Sequence, residues 1–149
     1  MTERDNQKIL IAYRLTQATE TLEEAIFLLE GGKILRAVTN RAYYSMFYAI
    51  LALMIDEPFT SSKHSGVLSY FNRRFIRERI FPEEIGRAIN RAFELRQQGD
   101  YRENVELTRE QVIPLIEAAT TFLEMVKAYI PKKQAQQSAS ELRQWSPLR

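Results

Sequence analysis

Asn40-Arg41-Ala42-Tyr43-Tyr44-Ser45-Met46-Phe47-Tyr48-Ala49-Ile50-Leu51-Ala52-Leu53-Met54 is apolar or aromatic on nearly every face, yet it opens with Asn and Arg. A helix that is apolar all round must be covered on more than one side. The stretch therefore predicts a central helix of a packed bundle, or one shared with a second subunit. Its three tyrosines carry hydroxyls into that packing, and buried hydroxyls need partners. Arg41 reaches Tyr44 at i+3 and Ser45 at i+4, which draws one polar ridge along the helix. Such a ridge is costly unless something pairs with it, so it marks either a structural network or a site.

Outward from this segment, helical periodicity dominates and no alternating strand pattern persists. A first helix is expected over residues 6–30, with Leu10, Tyr13, Leu15, Leu22, Ile26 and Leu29 as its stripe and Gly31-Gly32 as its stop. The second covers 33–56 and ends before Pro58. Ser61 or Ser62 is placed to cap a third, over 64–79, with Val67, Leu68, Phe71, Phe75 and Ile76 inward. Pro82 suits the first turn of a fourth helix, which Gly99 closes. Thr108-Arg109-Glu110-Gln111 reads as a capping box for a fifth, ending near Ile130 before Pro131. Pro114 either kinks that helix or shifts its start. The expected fold is all-α, an antiparallel bundle of about five helices over residues 1–130, with a polar, mobile tail over 131–149.

The chain has 149 residues, enough for one domain with a real core. It has no cysteine, which removes disulfides, thiolate metal sites and a cysteine nucleophile, and fits a reducing, cytoplasmic setting. Its start is polar, without an apolar signal region, and its longest apolar run is shorter than the ~20 residues of a membrane span. Neither a membrane nor a cofactor is expected. A net charge of +2 is too small to argue for nucleic acid by itself.

Arg96 falls on the apolar stripe of the fourth helix, with Ile85, Ile89, Ala92 and Phe93. A guanidinium on a buried stripe needs a carboxylate, carbonyls or phosphate. Asp100, one turn on, offers a structural ion pair, and a phosphate contact is the functional alternative. Arg73 and Arg77 share a face in the most basic stretch, residues 71–79, as a solvated face or a phosphate track. His64 is the sole histidine, at the start of a helix, as packing or as site. One His without Cys makes no zinc site, and no metal is expected.

Three of these stretches resemble one family. Residues 40–49 resemble the second-helix signature of a prokaryotic HEPN subfamily (higher eukaryotes and prokaryotes nucleotide-binding). Lys63-His64-Ser65-Gly66-Val67 resembles the start of its next helix, and Glu94-Leu95-Arg96-Gln97-Gln98-Gly99-Asp100-Tyr101 its Arg-x-x-x-Asp-Tyr stretch. The resemblance spans about residues 6–130. It implies a dimerising helical bundle that binds RNA or nucleotide, encoded beside a minimal nucleotidyltransferase as toxin and antitoxin. By its Arg-x-x-x-Asp-Tyr match it implies Arg96 as the catalytic arginine that holds phosphate. The acid–base role is left open between Asp100 or Tyr101, His64 brought in across a dimer, and binding without cleavage. Arg41, Tyr44, His64, Arg73, Arg77 and Arg96 are the candidates for holding nucleotide or nucleic acid.

The chain departs from the catalytic pattern, in which His follows Arg after four to six residues. Tyr101, Arg102 and Glu103 stand there instead. Histidine moves protons near neutral pH at its ordinary pKa, whereas tyrosine would need a large shift. Metal-independent ribonuclease activity is therefore expected to be weak or absent. The alternatives are a non-catalytic module docking a partner and a small-nucleotide sensor.

Overall fold

The computed structural model describes residues 2–98 and 106–145 in full and the backbone of residues 99–101. Among these residues the chain is all-helical: α1 (Glu3–Glu30), α2 (Leu35–Met54), α3 (His64–Phe71), a π-helical segment (Asn72–Ile76), α4 (Glu83–Tyr101) and α5 (Arg109–Gln144). α2 packs against α1, α3, α4 and α5. Twelve of its twenty residues are buried, which accounts for its all-round apolar character within one chain. Ser45 is not part of a ridge with Arg41. It is buried and donates to the carbonyl of Ala18 on α1, 2.8 Å away.

Local chemistry explains most helix ends. Thr2 and Asp5 form a capping box that starts α1 three residues earlier than expected. α1 closes with paired bonds from Gly32 N–H to Leu29 O and from Lys33 N–H to Leu28 O. Gly32 takes φ 64°, where a side chain would be strained. The Thr108–Gln111 capping box forms as expected, with bonds of 3.0 and 3.3 Å. Ser61 does not cap α3. Its hydroxyl accepts from Lys63 N–H, one residue before the helix.

Three expected boundaries are corrected. The third helix does not run to residue 79. After Phe71 the hydrogen bonds lengthen to i+5, as from Arg77 N–H to Asn72 O at 2.8 Å. Arg79 then reverses the chain at φ 63°. Phe71, Phe75 and Phe81 are all buried there, with Phe71 and Phe81 each edge-on to Phe122 at 5.5 Å. Gly99 does not close α4, whose backbone continues to Tyr101. α5 does not stop at Ile130 but runs to Gln144 through both Pro114 and Pro131. Each proline removes one backbone bond, and for Pro131 side-chain contacts to the residues just after α2 offset the loss. Lys133 Nζ sits 2.9 Å from Asp56 and 2.8 Å from Glu57, and Gln137 donates to Asp56 at 2.9 Å. Arg4 on α1 pairs with Glu141. No described helix is long and apolar enough to cross a membrane.

Candidate functional site

The three sequence stretches that suggested a site meet at one place. α2 supplies Arg41, Tyr43, Tyr44 and Phe47. The first residue of α3 supplies His64, and α4 supplies Phe93 and Arg96. Spacing on each helix explains the meeting. Positions 43 and 47, and 41 and 44, are one turn apart on α2, and 93 and 96 are one turn apart on α4.

Tyr43 is the hub. Its ring is fully buried, and its hydroxyl is hydrogen-bonded to Nδ1 of His64 at 2.9 Å, the donor being set by the imidazole tautomer. Phe93 lies 5.7 Å from its ring and the Arg96 guanidinium 5.5 Å. Burial pushes the Tyr43 phenol far above its ordinary value, against the pull of Arg96, so it stays protonated. The His64 ring stacks on Phe47 at 4.2 Å and stands edge-on to Tyr44 at 5.8 Å. Burial, and then the positive charge of Arg96, hold its pKa below 6.5, so the imidazole is neutral at pH 7.

Tyr44 is half-buried and carries two cations: Arg96 5.1 Å and Arg41 5.5 Å from its ring centre. Each such contact stabilises by ~0.5–2 kcal/mol. Arg41 is further oriented by Asn40 Oδ1, at 2.8 Å from Nη2, and lies 3.7 Å from Glu24 of α1. Arg96 is half-buried rather than fully so. Leu95 takes the centre of the apolar stripe and leaves Arg96 at its edge, facing the tyrosines. The side chains of Asp100 and Tyr101 lie outside the described residues.

The structure thus brings Arg41, Tyr44, His64 and Arg96 together. It does not add Arg73 or Arg77 to them among the described contacts. Arg73 is exposed and lies 5.3 Å over Tyr70, and Arg77 is exposed on the turn after the π segment. Sequence reasoning missed Tyr43 as the anchor of His64, although it had a signal: a tyrosine hydroxyl on a helix whose packing buries it and so demands a partner. It also missed why Gly66 follows His64. A Cβ there would meet Ser61 Oγ at 2.7 Å, so glycine lets the preceding loop fold over the start of α3. A cavity of about 670 Å³ between α1, α2 and residues 59–62 is lined by none of Arg41, Tyr44, His64 and Arg96.

Relatives share most of this chain. A UPF0332 protein of Thermotoga maritima is 40% identical over 121 residues, 81% of this chain and 91% of its own. Two proteins of Methanocaldococcus jannaschii named as candidate toxins are 32% and 33% identical, over 80% and 74% of this chain and 82% and 81% of their own. The profile of the HEPN domain matches residues 11–129, which contain every helix that builds the cluster. The chain belongs to the HEPN domain family.

Proposed function

We propose that this HEPN protein is a toxin-type, RNA-binding protein that acts as a homodimer opposite a minimal nucleotidyltransferase antitoxin in the cytoplasm. The observation that carries the reading is the pair of guanidiniums, Arg41 and Arg96, gathered on one tyrosine ring beside the only histidine. Guanidinium forks match phosphate oxygens, and a partly buried setting strengthens that attraction. The candidate-toxin names of two relatives support the biological role.

The same group suits ribonuclease chemistry only poorly. Cleavage moves the 2′-OH proton to a base as its oxygen bonds to phosphorus, and the 5′-oxygen leaves with a proton from an acid. His64 is the candidate base, through Nε2, because Tyr43 holds Nδ1. Its lowered pKa makes it a weak one. Tyr43 is too tightly protonated to replace it. The family motif makes Asp100 and Tyr101 the sequence candidates for the missing acid–base role. Turnover by the isolated protein is therefore slow or undetectable, and independent of metal.

Fluorescence anisotropy with labelled single-stranded RNA, with and without chelator, tests this. Wild type should bind in both conditions, and Arg96→Ala should bind at least tenfold more weakly. Binding unaffected by Arg96→Ala would overturn the site, and rapid metal-dependent cleavage would overturn the mechanism. A second reading, a non-catalytic module that docks the nucleotidyltransferase, is favoured by Leu142 and Trp145 at the end of α5, 74% and 70% exposed. It predicts complex formation without RNA binding.

A further inference from the structure

The cavity between α1, α2 and residues 59–62 shares no residue with the arginine–tyrosine cluster. Its volume of about 670 Å³ falls within the roughly 300–1,000 Å³ of small-molecule sites. Its floor is apolar. Met54 and Val67 are buried there, Leu51, Ile55 and Phe59 are half-buried, and Leu10 is 43% exposed. Its outer wall is the loop before α3, and that wall is fixed at both ends. Phe59 lies 4.5 Å from the Tyr70 ring, whose hydroxyl donates to Glu57 at 2.9 Å. Ser61 closes over Gly66, where a Cβ would come within 2.7 Å of its Oγ.

The polar groups of the cavity are all of one kind. Arg14 is its one charged lining side chain, and no carboxylate lines it. One Nη1 proton of Arg14 goes to Gln17 Oε1 at 2.9 Å, and no carboxylate pairs with the guanidinium among the described residues. Thr60, Ser61 and Ser62 add three hydroxyls. Ser61 Oγ accepts from Lys63 N–H, which leaves its own proton to donate. One cation with hydroxyl donors complements one negative charge, and a guanidinium fork matches the two oxygens of a carboxylate. The described chain has no sheet edge with which an extended peptide could pair.

We infer that this cavity binds a small amphipathic carboxylate, its apolar body against Leu10, Leu51, Ile55 and Phe59 and its charge on Arg14. The inference is independent of the RNA-binding reading.

Calorimetric titration of the full-length protein with octanoate, octan-1-ol and acetate tests it. Octanoate should bind saturably. Octan-1-ol lacks the charge and acetate the apolar body, so each should bind about tenfold more weakly. Arg14→Gln should weaken octanoate about tenfold and leave octan-1-ol unchanged, which also shows that the variant is folded. Leu10→Glu, at a partly exposed position, sets a like charge in the cavity and should abolish octanoate binding. Absence of saturable octanoate binding to the wild type would overturn the inference, as would octan-1-ol binding as tightly as octanoate or an Arg14→Gln variant with wild-type octanoate affinity. If the wild type ignores octanoate and Leu10→Glu halves its mass in light scattering, a second copy of the chain fills the cavity and the inference is wrong.

Discussion

Tyr43 and His64 show how a single contact converts packing into chemistry. Tyr43 is placed by the core, and its hydroxyl then fixes the ring of a histidine 21 residues further along. Because the folded imidazole titrates below 6.5, the sign of its pH effect follows. Well above pH 6.5 both folded and unfolded His64 are neutral, and the group has no effect on stability. Below it the unfolded chain takes up a proton first, so folding weakens as pH falls toward the lower folded pKa and levels off beneath it. Urea unfolding of wild type and His64→Gln between pH 5 and 7.5 should show a shallower acid slope in the variant. Equal slopes would mean that His64 is not held neutral. Tyr43→Phe keeps the ring and removes the bond. It should cost about 1 kcal/mol and leave RNA binding weaker because the imidazole loses its anchor.

At the level of elements, the C-terminal part of α5 is held by charge rather than by apolar packing. Lys133, Asp56 and Glu57 are largely buried, and Tyr70 and Arg74 also bond to Glu57. Burial by itself would raise the Glu57 pKa. Hydrogen bonds from Lys133 and Tyr70 and the charges of Lys133 and Arg74 outweigh it, and the carboxyl titrates below 4.5. This network thus contributes stability above about pH 4.5 that is lost as pH falls through the lower folded value. Lys133→Ala removes the cation shared by Asp56 and Glu57, leaves only Gln137 bonded to Asp56 and Tyr70 and Arg74 to Glu57 among the described contacts, and should cost about 3 kcal/mol. For a chain of this size that is a fall in Tm of roughly 6–12 °C, readable by calorimetry at pH 7. An unchanged Tm would show that the helix beyond Pro131 is not anchored there.

For the whole molecule, the apolar excess of α2 is absorbed by its neighbours within the chain, so it no longer argues for a second subunit. The exposed apolar side chains lie elsewhere: Ile9, Tyr13 and Phe27 on α1, Ile34 at the start of α2, and Leu142 and Trp145 at the end of α5. Scattered exposed apolar residues are ordinary, whereas a helix face with several of them marks an interface. A homodimer through the α1 side is the expected state. Light scattering at micromolar concentration should report twice the chain mass, and Phe27→Glu with Ile34→Glu should halve it without lowering helicity. A wild-type monomer would exclude this interface.

The helical class, the central place of α2, the stop at Gly31-Gly32 and the Thr108 cap were legible in the chain, because each rests on periodicity or on side chains within four residues. So were Arg41, Tyr44, His64 and Arg96 as individual candidates. Three things depended on tertiary structure. Helix α5 passes Pro131 because Lys133 finds two carboxylates 76 and 77 residues away, which no local rule registers. The π segment after Phe71 forms where three phenylalanines and Phe122 pack together, a demand of the core and not of propensity. His64 joins Arg96 because α3 and α4 both dock on α2 at Tyr43, and a partnership between helices is set by packing that a linear pattern does not encode.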